Sequence, residues 1–178
     1  MTDYFSFYGL PLSFNPDVTV VKQQFYALSK KYHPDFYINE SEEKQAEVLE
    51  LSTINNKAYQ VLSDPQKRLQ YILELKGLLK EGENYILPQS FLIEMMEVNE
   101  TLMDLQFDPD PLKLASLTKE VDLVEKAIAD DILKQTVAFE TLDAEEQERV
   151  LVLIKDLYYR NKYLIRIRES IAKAAADH

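Results

Sequence analysis

Cysteine is absent from the sequence, and glycine occurs only three times among its 178 residues. Without cysteine the chain cannot form disulfides, thiolate zinc sites or cysteine-ligated iron–sulfur clusters. No apolar run approaches the roughly 20 residues that a membrane-spanning helix needs. The first residues also lack the basic and apolar stretches of a signal peptide. We therefore expect a cytoplasmic protein that has no metal site, no cofactor and no contact with a membrane.

The charge of the chain is acidic and unevenly distributed, with a formal net charge of −11. Residues 1–80 carry nine basic and ten acidic side chains, whereas residues 81–178 carry eleven and twenty-one. An acidic surface repels a phosphate backbone, so nucleic-acid binding is disfavoured. The asymmetry suggests two domains that meet different partners.

The spacing of apolar residues predicts helices throughout the chain. One amphipathic helix runs from Asp17 to Tyr32 and is stopped by Pro34, and a second ends before Ser63-Asp64-Pro65. Further helical patterns cover residues 66–79, 88–105, 112–134 and 141–176. No strand-like alternation is longer than a few residues. We therefore predict an all-α protein with an N-terminal domain at 1–76, a linker at 77–87 and a C-terminal three-helix bundle at 88–178.

The tripeptide His33-Pro34-Asp35 connects the first two long helices. Tyr32 precedes it, and the second helix ends in Ala58-Tyr59-Gln60-Val61-Leu62-Ser63-Asp64-Pro65-Gln66-Lys67-Arg68. Together with the opening Asp3-Tyr4-Phe5-Ser6-Phe7-Tyr8-Gly9-Leu10-Pro11, these features resemble the J domain, an antiparallel helical hairpin with short flanking helices. The resemblance implies that the loop docks on the ATPase domain of an HscA- or DnaK-type chaperone and stimulates ATP hydrolysis.

The residue types of the tripeptide suit a rigid contact. Pro34 fixes one backbone angle and pushes His33 towards an extended conformation, so the loop loses little entropy on binding. Asp35 offers a carboxylate that can pair bidentately with an arginine. By the resemblance, Asp35 is the charge partner, and His33 and Pro34 shape the contact.

The helix before the tripeptide carries lysines on a face that solvent can reach. At about 100° per residue, Lys22 lies on the same face as His33, with Lys30 beside it. The J domains that this chain resembles present a basic face here, which suggests Lys22, Lys30 and Lys31 as residues that steer an acidic chaperone surface. Solvated lysines without a partner are an equally good interpretation. Phe36 departs from the J-domain pattern, because many J domains have a basic residue at this position, directly after the tripeptide.

Acid–base catalysis by His33 and Asp35 is another interpretation of the tripeptide. It needs a nucleophile or a metal close by, and the chain has no cysteine and only one other histidine, His178. The flanking helices decide against catalysis and against an accidental tripeptide. We expect the chain to have no enzymatic activity of its own.

The C-terminal half contains none of the Gly/Phe-rich, zinc-finger or β-rich segments that follow the J domain in DnaJ-type proteins. A short linker and an acidic helical bundle are there instead, and residues 91–102 read FLIEMMEVNETL. This whole arrangement resembles HscB, the J-type co-chaperone of iron–sulfur cluster biogenesis. The resemblance implies two partners, an HscA-type chaperone and an IscU-type scaffold protein.

Two apolar faces appear when residues 91–105 are placed on a helical wheel. The core stripe is Phe91, Met95, Val98, Leu102 and Leu105. Roughly 120° away lie Leu92, Met96 and Met103, next to Ile93, Glu97, Glu100 and Asp104. An apolar patch with an acidic rim is typical of an interaction surface. A helix with two neighbours in a bundle can also bury a wide apolar face, and periodicity alone slightly favours burial.

The resemblance to HscB favours the interaction surface, because the scaffold-binding residues of that family fall on this helix. The matching residues are Leu92, Ile93, Met96, Glu97, Glu100 and Asp104. An aromatic residue of the last helix joins them in the family; Tyr158 is the predicted counterpart, and Tyr159 is the competing choice. The acidic charge of this half can orient a basic partner, although solubility explains it equally well.

These features together predict an adaptor that stimulates the chaperone ATPase and delivers the scaffold protein to it. The alternative is a J-domain protein whose bundle binds a different client or complex, or oligomerises. A dedicated HscA and a general DnaK both fit the predicted chaperone contact.

Overall fold

The computed structural model describes residues 3–176, and within this range seven α-helices hold most of the chain. They are α1 (Tyr4–Phe7), α2 (Val18–Lys31), α3 (Glu42–Leu62), α4 (Pro65–Leu75), α5 (Gln89–Phe107), α6 (Pro111–Thr136) and α7 (Ala144–Ala176). Short 3-10 helices occupy Pro34–Tyr37 and Phe139–Thr141. No strand occurs among the described residues, and the predicted all-α fold is confirmed. In the same range no helix is both long and apolar enough to cross a bilayer.

The chain divides into two compact units, residues 1–80 and residues 81–178. The N-terminal unit is built on α2 and α3. Phe25 stacks on Tyr59 with ring centroids 4.2 Å apart, and Ser29, one turn later, contacts Asn55, one turn earlier in α3. The two helices therefore run antiparallel. Both α1 and α4 pack against α3, and the core includes Phe5, Val21, Ala58, Leu62 and Ile72.

The boundary between α3 and α4 lies at Ser63-Asp64-Pro65, as the sequence predicts. The Asp64 carboxylate accepts hydrogen bonds from the backbone N–H groups of Gln66 and Lys67, which the first turn of α4 leaves without helical partners. Pro65 stands at the first helical position, where its missing N–H costs nothing.

The end of α4 is earlier than the sequence pattern suggests, at Leu75 rather than near Leu79. Gly77 adopts a φ of 70°, which a residue without a Cβ reaches at little cost. Its N–H donates to the carbonyl oxygen of Glu74, and the N–H of Leu78 donates to that of Leu73. These bonds close the helix with a glycine cap, and the chain leaves it in a new direction.

Arg68 is a buried charged residue of the N-terminal unit, with 7% of its surface exposed. Its Nε donates to the carbonyl oxygen of Phe14 at 2.9 Å, and its Nη1 donates to that of Leu62 at 2.6 Å. The guanidinium thus joins the loop before α2 to the end of α3. Burial lowers the pKa of Arg68 from its usual value.

Helices α5, α6 and α7 form the C-terminal unit as a three-helix bundle. Its core is made almost entirely of aliphatic side chains, including Met95, Val98, Val121, Leu164 and Ile167. An ion-pair group on the surface joins two of the helices, because Arg168 of α7 contacts Asp122 and Glu125 of α6.

Candidate functional site

The loop that carries His33-Pro34-Asp35 leaves α2 one residue after its end at Lys31 and points into solvent. His33 has φ −71° and ψ 124°, the extended conformation that a following proline imposes. Its Nδ1 accepts a hydrogen bond from the N–H of Asp35 at 3.3 Å. The side chains of His33 and Asp35 are 53% and 78% exposed. The carboxylate of Asp35 is therefore presented to a partner on a backbone that proline has fixed.

Side chains that flank the tripeptide hold the loop at both ends. The hydroxyl of Tyr37 donates to the carbonyl oxygen of Lys31 at 2.8 Å. From α3, Nε2 of Gln45 donates to the carbonyl oxygens of Ile38 and Glu40 at 3.1 and 2.9 Å. Because these bonds restrict the loop before any partner arrives, less conformational entropy is lost on binding.

A shallow apolar cleft lies beside the tripeptide. Phe36 is 68% exposed and meets the His33 ring edge-on, with centroids 5.8 Å apart. The exposed Tyr26 of α2 lies on the same cleft, together with Ser29 and Lys30. In the sequence, Phe36 stands out only as a departure from the J-domain pattern. The signal for the cleft is an aromatic residue, Tyr26, on the solvent-facing side of α2, together with Phe36 directly after the tripeptide.

The three lysines predicted to steer a partner, Lys22, Lys30 and Lys31, are all exposed. None of them forms an ion pair with another residue of the described range 3–176. Nζ of Lys22 lies 6.0 Å from the ring centroid of Tyr26, and Nζ of Lys31 lies 5.2 Å from that of Tyr32. Their charges are therefore available to an acidic surface.

Beneath the loop, a buried polar group joins α1, α2 and α3. Asn55 is 1% exposed, and its Nδ2 donates to the carbonyl oxygen of Phe25 and to the Ser29 hydroxyl at 3.1 and 3.0 Å. The hydroxyl of Tyr8 donates to Oδ1 of Asn55 at 2.9 Å. Burial raises the pKa of Tyr8 well above its usual value. Ser29 lies one turn before His33, so Asn55 fixes the end of α2 from which the loop departs.

The second candidate surface lies on α5. Phe91, Met95, Val98, Leu102 and Leu105 are buried, as the predicted core stripe requires. Met96 and Met103 are 59% and 60% exposed, so the alternative that the bundle buries them is wrong. Leu92 is half-buried and Ile93 is exposed. We call the group Leu92, Ile93, Met96, Glu97, Glu100 and Asp104 the α5 patch; its three carboxylates are exposed.

One carboxylate of the α5 patch already has a partner within the chain. Lys113 of α6 lies with its Nζ 3.4 Å from Oδ2 of Asp104. Both side chains are largely exposed, so the pair is screened by solvent and contributes little to stability. Asp104 can therefore exchange this contact for one with a partner protein.

Tyr158 is a correction to the predicted surface. It is 5% exposed and lies on the same side of α7 as the buried Leu151 and Ile154. Positions separated by three and four residues share one helix face, so this spacing in the sequence indicates its burial. Tyr159 is half-buried and lines one groove with Leu92. Of the two tyrosines that the sequence offers, Tyr159 is therefore the one that lies beside Leu92 of the α5 patch, and Tyr163 lines the same groove.

Residues 83–87, assigned by the sequence analysis to the linker, are packed on α7. The rings of Tyr85 and Tyr159 stack with centroids 4.4 Å apart and planes 5° apart. The Tyr85 hydroxyl donates to Asp156 at 2.7 Å. The carboxylate of Glu83 accepts from Nζ of Lys155 at 2.6 Å and from the Tyr159 hydroxyl at 3.0 Å. These contacts hold Tyr159 in one orientation.

Burial and hydrogen bonding change the acidity of both stacked tyrosines. Burial, reinforced by the hydrogen bond to Asp156, raises the pKa of Tyr85 to about 12. Burial, with the hydrogen bond to Glu83, does the same for Tyr159, whose pKa also rises to about 12. Both hydroxyls are therefore donors at neutral pH. Among residues 3–176, no group of three or more His, Asp or Glu side chains is placed to hold a metal ion; His178 lies outside this range.

Comparison with known proteins finds a matching family model for each of the two units. The chain matches the family model of the DnaJ domain over residues 3–71 and that of the HSCB C-terminal oligomerisation domain over residues 87–172. A co-chaperone protein HscB homolog of Vibrio cholerae is 32% identical over 87% of this chain and 92% of its own length. The chain belongs to the HscB family.

Other HscB proteins support this assignment. The mouse iron–sulfur cluster co-chaperone protein HscB is 32% identical over 95% of this chain and 67% of its own length. The crystal structure of the human co-chaperone protein HscB has a TM-score of 0.78 at 26% identity and covers 99% of this chain and 83% of its own. A Vibrio cholerae chaperone HscB structure, at 24% identity, shares the fold with a TM-score of 0.73 over 98% of both chains.

Membership of the HscB family gives the N-terminal unit a role. The N-terminal unit is a J domain, so an Hsp70-type chaperone is its partner, and the chain acts as a co-chaperone in iron–sulfur cluster assembly. Co-chaperones of this family are not themselves enzymes. On one unit, the structure brings Lys30 together with His33 and Asp35 of the tripeptide, and Lys22 lies against Tyr26 of the same cleft. On the other unit it brings Leu92 of the α5 patch together with Tyr159.

Proposed function

We propose that this HscB-family chain stimulates the ATPase of an HscA- or DnaK-type chaperone through His33, Pro34 and Asp35, and that it delivers an IscU-type scaffold protein through the α5 patch. One observation carries the proposal most strongly: the Asp35 carboxylate is exposed on a proline-fixed loop at the end of a helix face that presents exposed lysines. A cytoplasmic location is part of the same proposal.

The chaperone contact is supported by complementary chemistry. An exposed carboxylate can form a bidentate, charge-assisted pair with an arginine of the ATPase domain. Lys22, Lys30 and Lys31 attract an acidic surface over a longer range and accelerate encounter. The cleft formed by Tyr26 and Phe36 offers apolar area next to the charged contact. These features together suit a transient, oriented complex.

Single-turnover ATP hydrolysis by purified HscA or DnaK tests this contact. The wild-type chain should accelerate hydrolysis, and His33→Gln or Asp35→Asn should return the rate to the chaperone's own basal value. Lys57→Gln, at an exposed lysine of α3 that has no ion pair among the described residues, is the matched control and should behave as wild type. Stimulation that survives both loop substitutions would contradict the proposed mechanism.

The scaffold contact is supported by the exposure of apolar and acidic groups on one helix face. Met96 and Ile93 leave more than half of their surface in water, and exposed apolar clusters rimmed by charge are typical of protein interfaces. Methionine adapts to a partner of imperfect shape because its thioether is flexible. A chain that holds both partners raises the effective concentration of each for the other.

Calorimetric titration with a purified IscU-type scaffold tests the client contact. Leu92→Ala with Met96→Ala should weaken binding by about tenfold or more, because interface anchors cost more than about 1 kcal/mol each when truncated. Leu123→Ala with Leu133→Ala is a matched control, since these leucines of α6 are also exposed. Equal loss in both double variants would indicate a general effect on the bundle.

A second candidate function is association of the C-terminal unit with a copy of itself or with another complex. The description of the matched family model as an oligomerisation domain favours it. Analytical ultracentrifugation of the full chain distinguishes self-association from scaffold delivery. A monomer that binds the scaffold supports delivery, whereas a dimer disrupted by the α5 double variant supports self-association.

A further inference from the structure

A groove adjoins the α5 patch within the C-terminal unit. Residues 83–87 form one wall, α7 forms the other, and Leu92 of α5 closes one side. The volume is about 370 Å³. Ile86 stands at its edge with 84% of its surface exposed. The groove is therefore an open, partly apolar extension of the surface to which Leu92 belongs.

The wall formed by residues 83–87 is firmly held. The stack of Tyr85 on Tyr159, the bond from Tyr85 to Asp156 and the bonds to Glu83 all join it to α7. On the floor, Tyr163 meets the buried Phe91 edge-on at 5.9 Å, and its hydroxyl accepts from Nδ2 of Asn99 at 3.0 Å. The groove is thus already formed, without a partner to order it.

Two cations on α7, Lys162 and Arg166, give the groove a charge opposite to that of the α5 patch. They lie one helical turn apart and both are exposed. Neither forms an ion pair with any residue from 3 to 176, although this half of the chain is rich in carboxylates. Other cations of the same helix do so: Lys155 pairs with Glu83, and Arg160 pairs with Asp156.

We propose that this groove binds an acidic segment of the scaffold-type client, one in which a carboxylate lies beside an apolar side chain. The inference rests on the proposed function, because the groove shares Leu92 with the α5 patch. Ile86 and the tyrosine rings would contact the apolar side chain. Lys162 and Arg166 would pair with the carboxylate.

The consequence is a client surface with two charged ends. Along α5, Leu92 and Asp104 are separated by about 18 Å, at 1.5 Å per residue. The groove end is basic, whereas the carboxylates of Glu97, Glu100 and Asp104 follow along the helix at about 8, 12 and 18 Å from Leu92. Opposite charges at the two ends fix the direction in which a client lies, because the reversed orientation places like charges together.

Calorimetric titration of the full chain with a purified IscU-type scaffold tests the inference. Lys162→Glu with Arg166→Glu should weaken binding by about tenfold or more, since like charges replace attraction at close range. Ile86→Ser should weaken it severalfold without loss of fold, because the side chain is exposed. Stimulation of the chaperone ATPase in the absence of scaffold should equal that of wild type in both variants.

The matched control is Lys119→Glu with Lys126→Glu, which makes the same change in net charge at two exposed lysines of α6 that form no ion pair with residues 3–176. Scaffold affinity should stay within about twofold of wild type in this control. If the groove variant loses no more affinity than the control, the groove inference is overturned while the proposed function stands. If wild type binds no scaffold, the proposed function itself fails. A sedimentation coefficient changed only by the groove variant would mean that a second copy occupies the groove, and this too overturns the inference.

Discussion

The hydroxyl of Tyr8 donates a hydrogen bond to the buried Oδ1 of Asn55 at 2.9 Å, and the same amide donates to Ser29, one turn before His33. Asn55→Leu should destabilise the N-terminal unit by about 1–3 kcal/mol, because the carbonyl oxygen of Phe25 and the Ser29 hydroxyl lose their donor, and the buried Tyr8 hydroxyl keeps only the backbone carbonyl oxygen of Asn55, at 3.1 Å. Hydrogen exchange of the α2 and α3 amides measures this unit separately from the rest of the chain.

The coupling energy between Tyr8 and Asn55, measured in a double variant, provides the control. If the bond from the Tyr8 hydroxyl to Oδ1 of Asn55 contributes to the penalty, Tyr8→Phe should cost less stability in the Asn55→Leu background than in wild type, because both substitutions remove that same bond. Strictly additive losses in the double variant would show that packing, not the hydrogen bond, carries the effect.

Arg68 should be far more sensitive to substitution than its neighbour Lys67. Arg68→Ala removes two charge-assisted hydrogen bonds to the carbonyl oxygens of Phe14 and Leu62 and should cost about 2–4 kcal/mol. Lys67 is exposed, and Lys67→Ala should change stability by no more than about 0.5 kcal/mol. Protection of the α3 and α4 amides against hydrogen exchange measures the stability of the two variants. Equal effects would contradict the structural role of the guanidinium.

Alkaline titration should detect the stacked tyrosines. Their folded pKa values of about 12 lie above the ordinary value of 10, so the fold favours the protonated hydroxyls. The associated stability is fully present below about pH 10 and is lost as the pH rises towards about 12. The ultraviolet absorbance of tyrosinate should show late-ionising groups, and Tyr85→Phe with Tyr159→Phe should remove two of them. An unchanged late phase would contradict the assignment.

Lysine charge on α2 should affect the rate of chaperone association more than the maximum stimulation. Lys22→Gln with Lys30→Gln should slow association with the chaperone severalfold at low salt, and the difference should shrink as salt screens the charges. Lys57→Gln with Lys67→Gln removes the same charge from exposed positions elsewhere on the unit. Stopped-flow kinetics at several salt concentrations separates the two variants, and identical salt slopes would show that the α2 lysines are merely solvated.

Much of this architecture is predictable because helix boundaries depend on local chemistry. Pro34, Asp64 and Pro65 act within one turn of the backbone, and the structure ends or begins helices beside them. The early end of α4 at Leu75 is less visible, because it requires Gly77 to take up a left-handed conformation that the apolar pattern does not encode.

The surfaces were harder to predict, because they depend on contacts between residues distant in the sequence. The core stripe of α5 follows from periodicity, but the stack of Tyr85 on Tyr159 joins residues more than seventy positions apart. The segment around Tyr85 has no helical pattern and therefore reads as a linker. The family resemblance is compatible with either Tyr158 or Tyr159 as the aromatic residue of the client surface. The exposed fraction of each side chain decides between them, because Tyr158 is buried and Tyr159 is half-buried.

Substitution of these two neighbouring tyrosines should separate stability from client binding. Tyr158→Ala removes a ring that is only 5% exposed and should destabilise the chain by about 3–5 kcal/mol. Tyr159→Ala removes a half-buried ring beside Leu92, so it should weaken scaffold binding by about tenfold while costing less stability than Tyr158→Ala. Denaturant unfolding and calorimetric titration measure the two effects. Tyr159→Phe, which keeps the ring and loses only the bond to Glu83, should retain most of the affinity. If Tyr159→Ala binds scaffold as wild type does, the aromatic contribution to the client surface is absent.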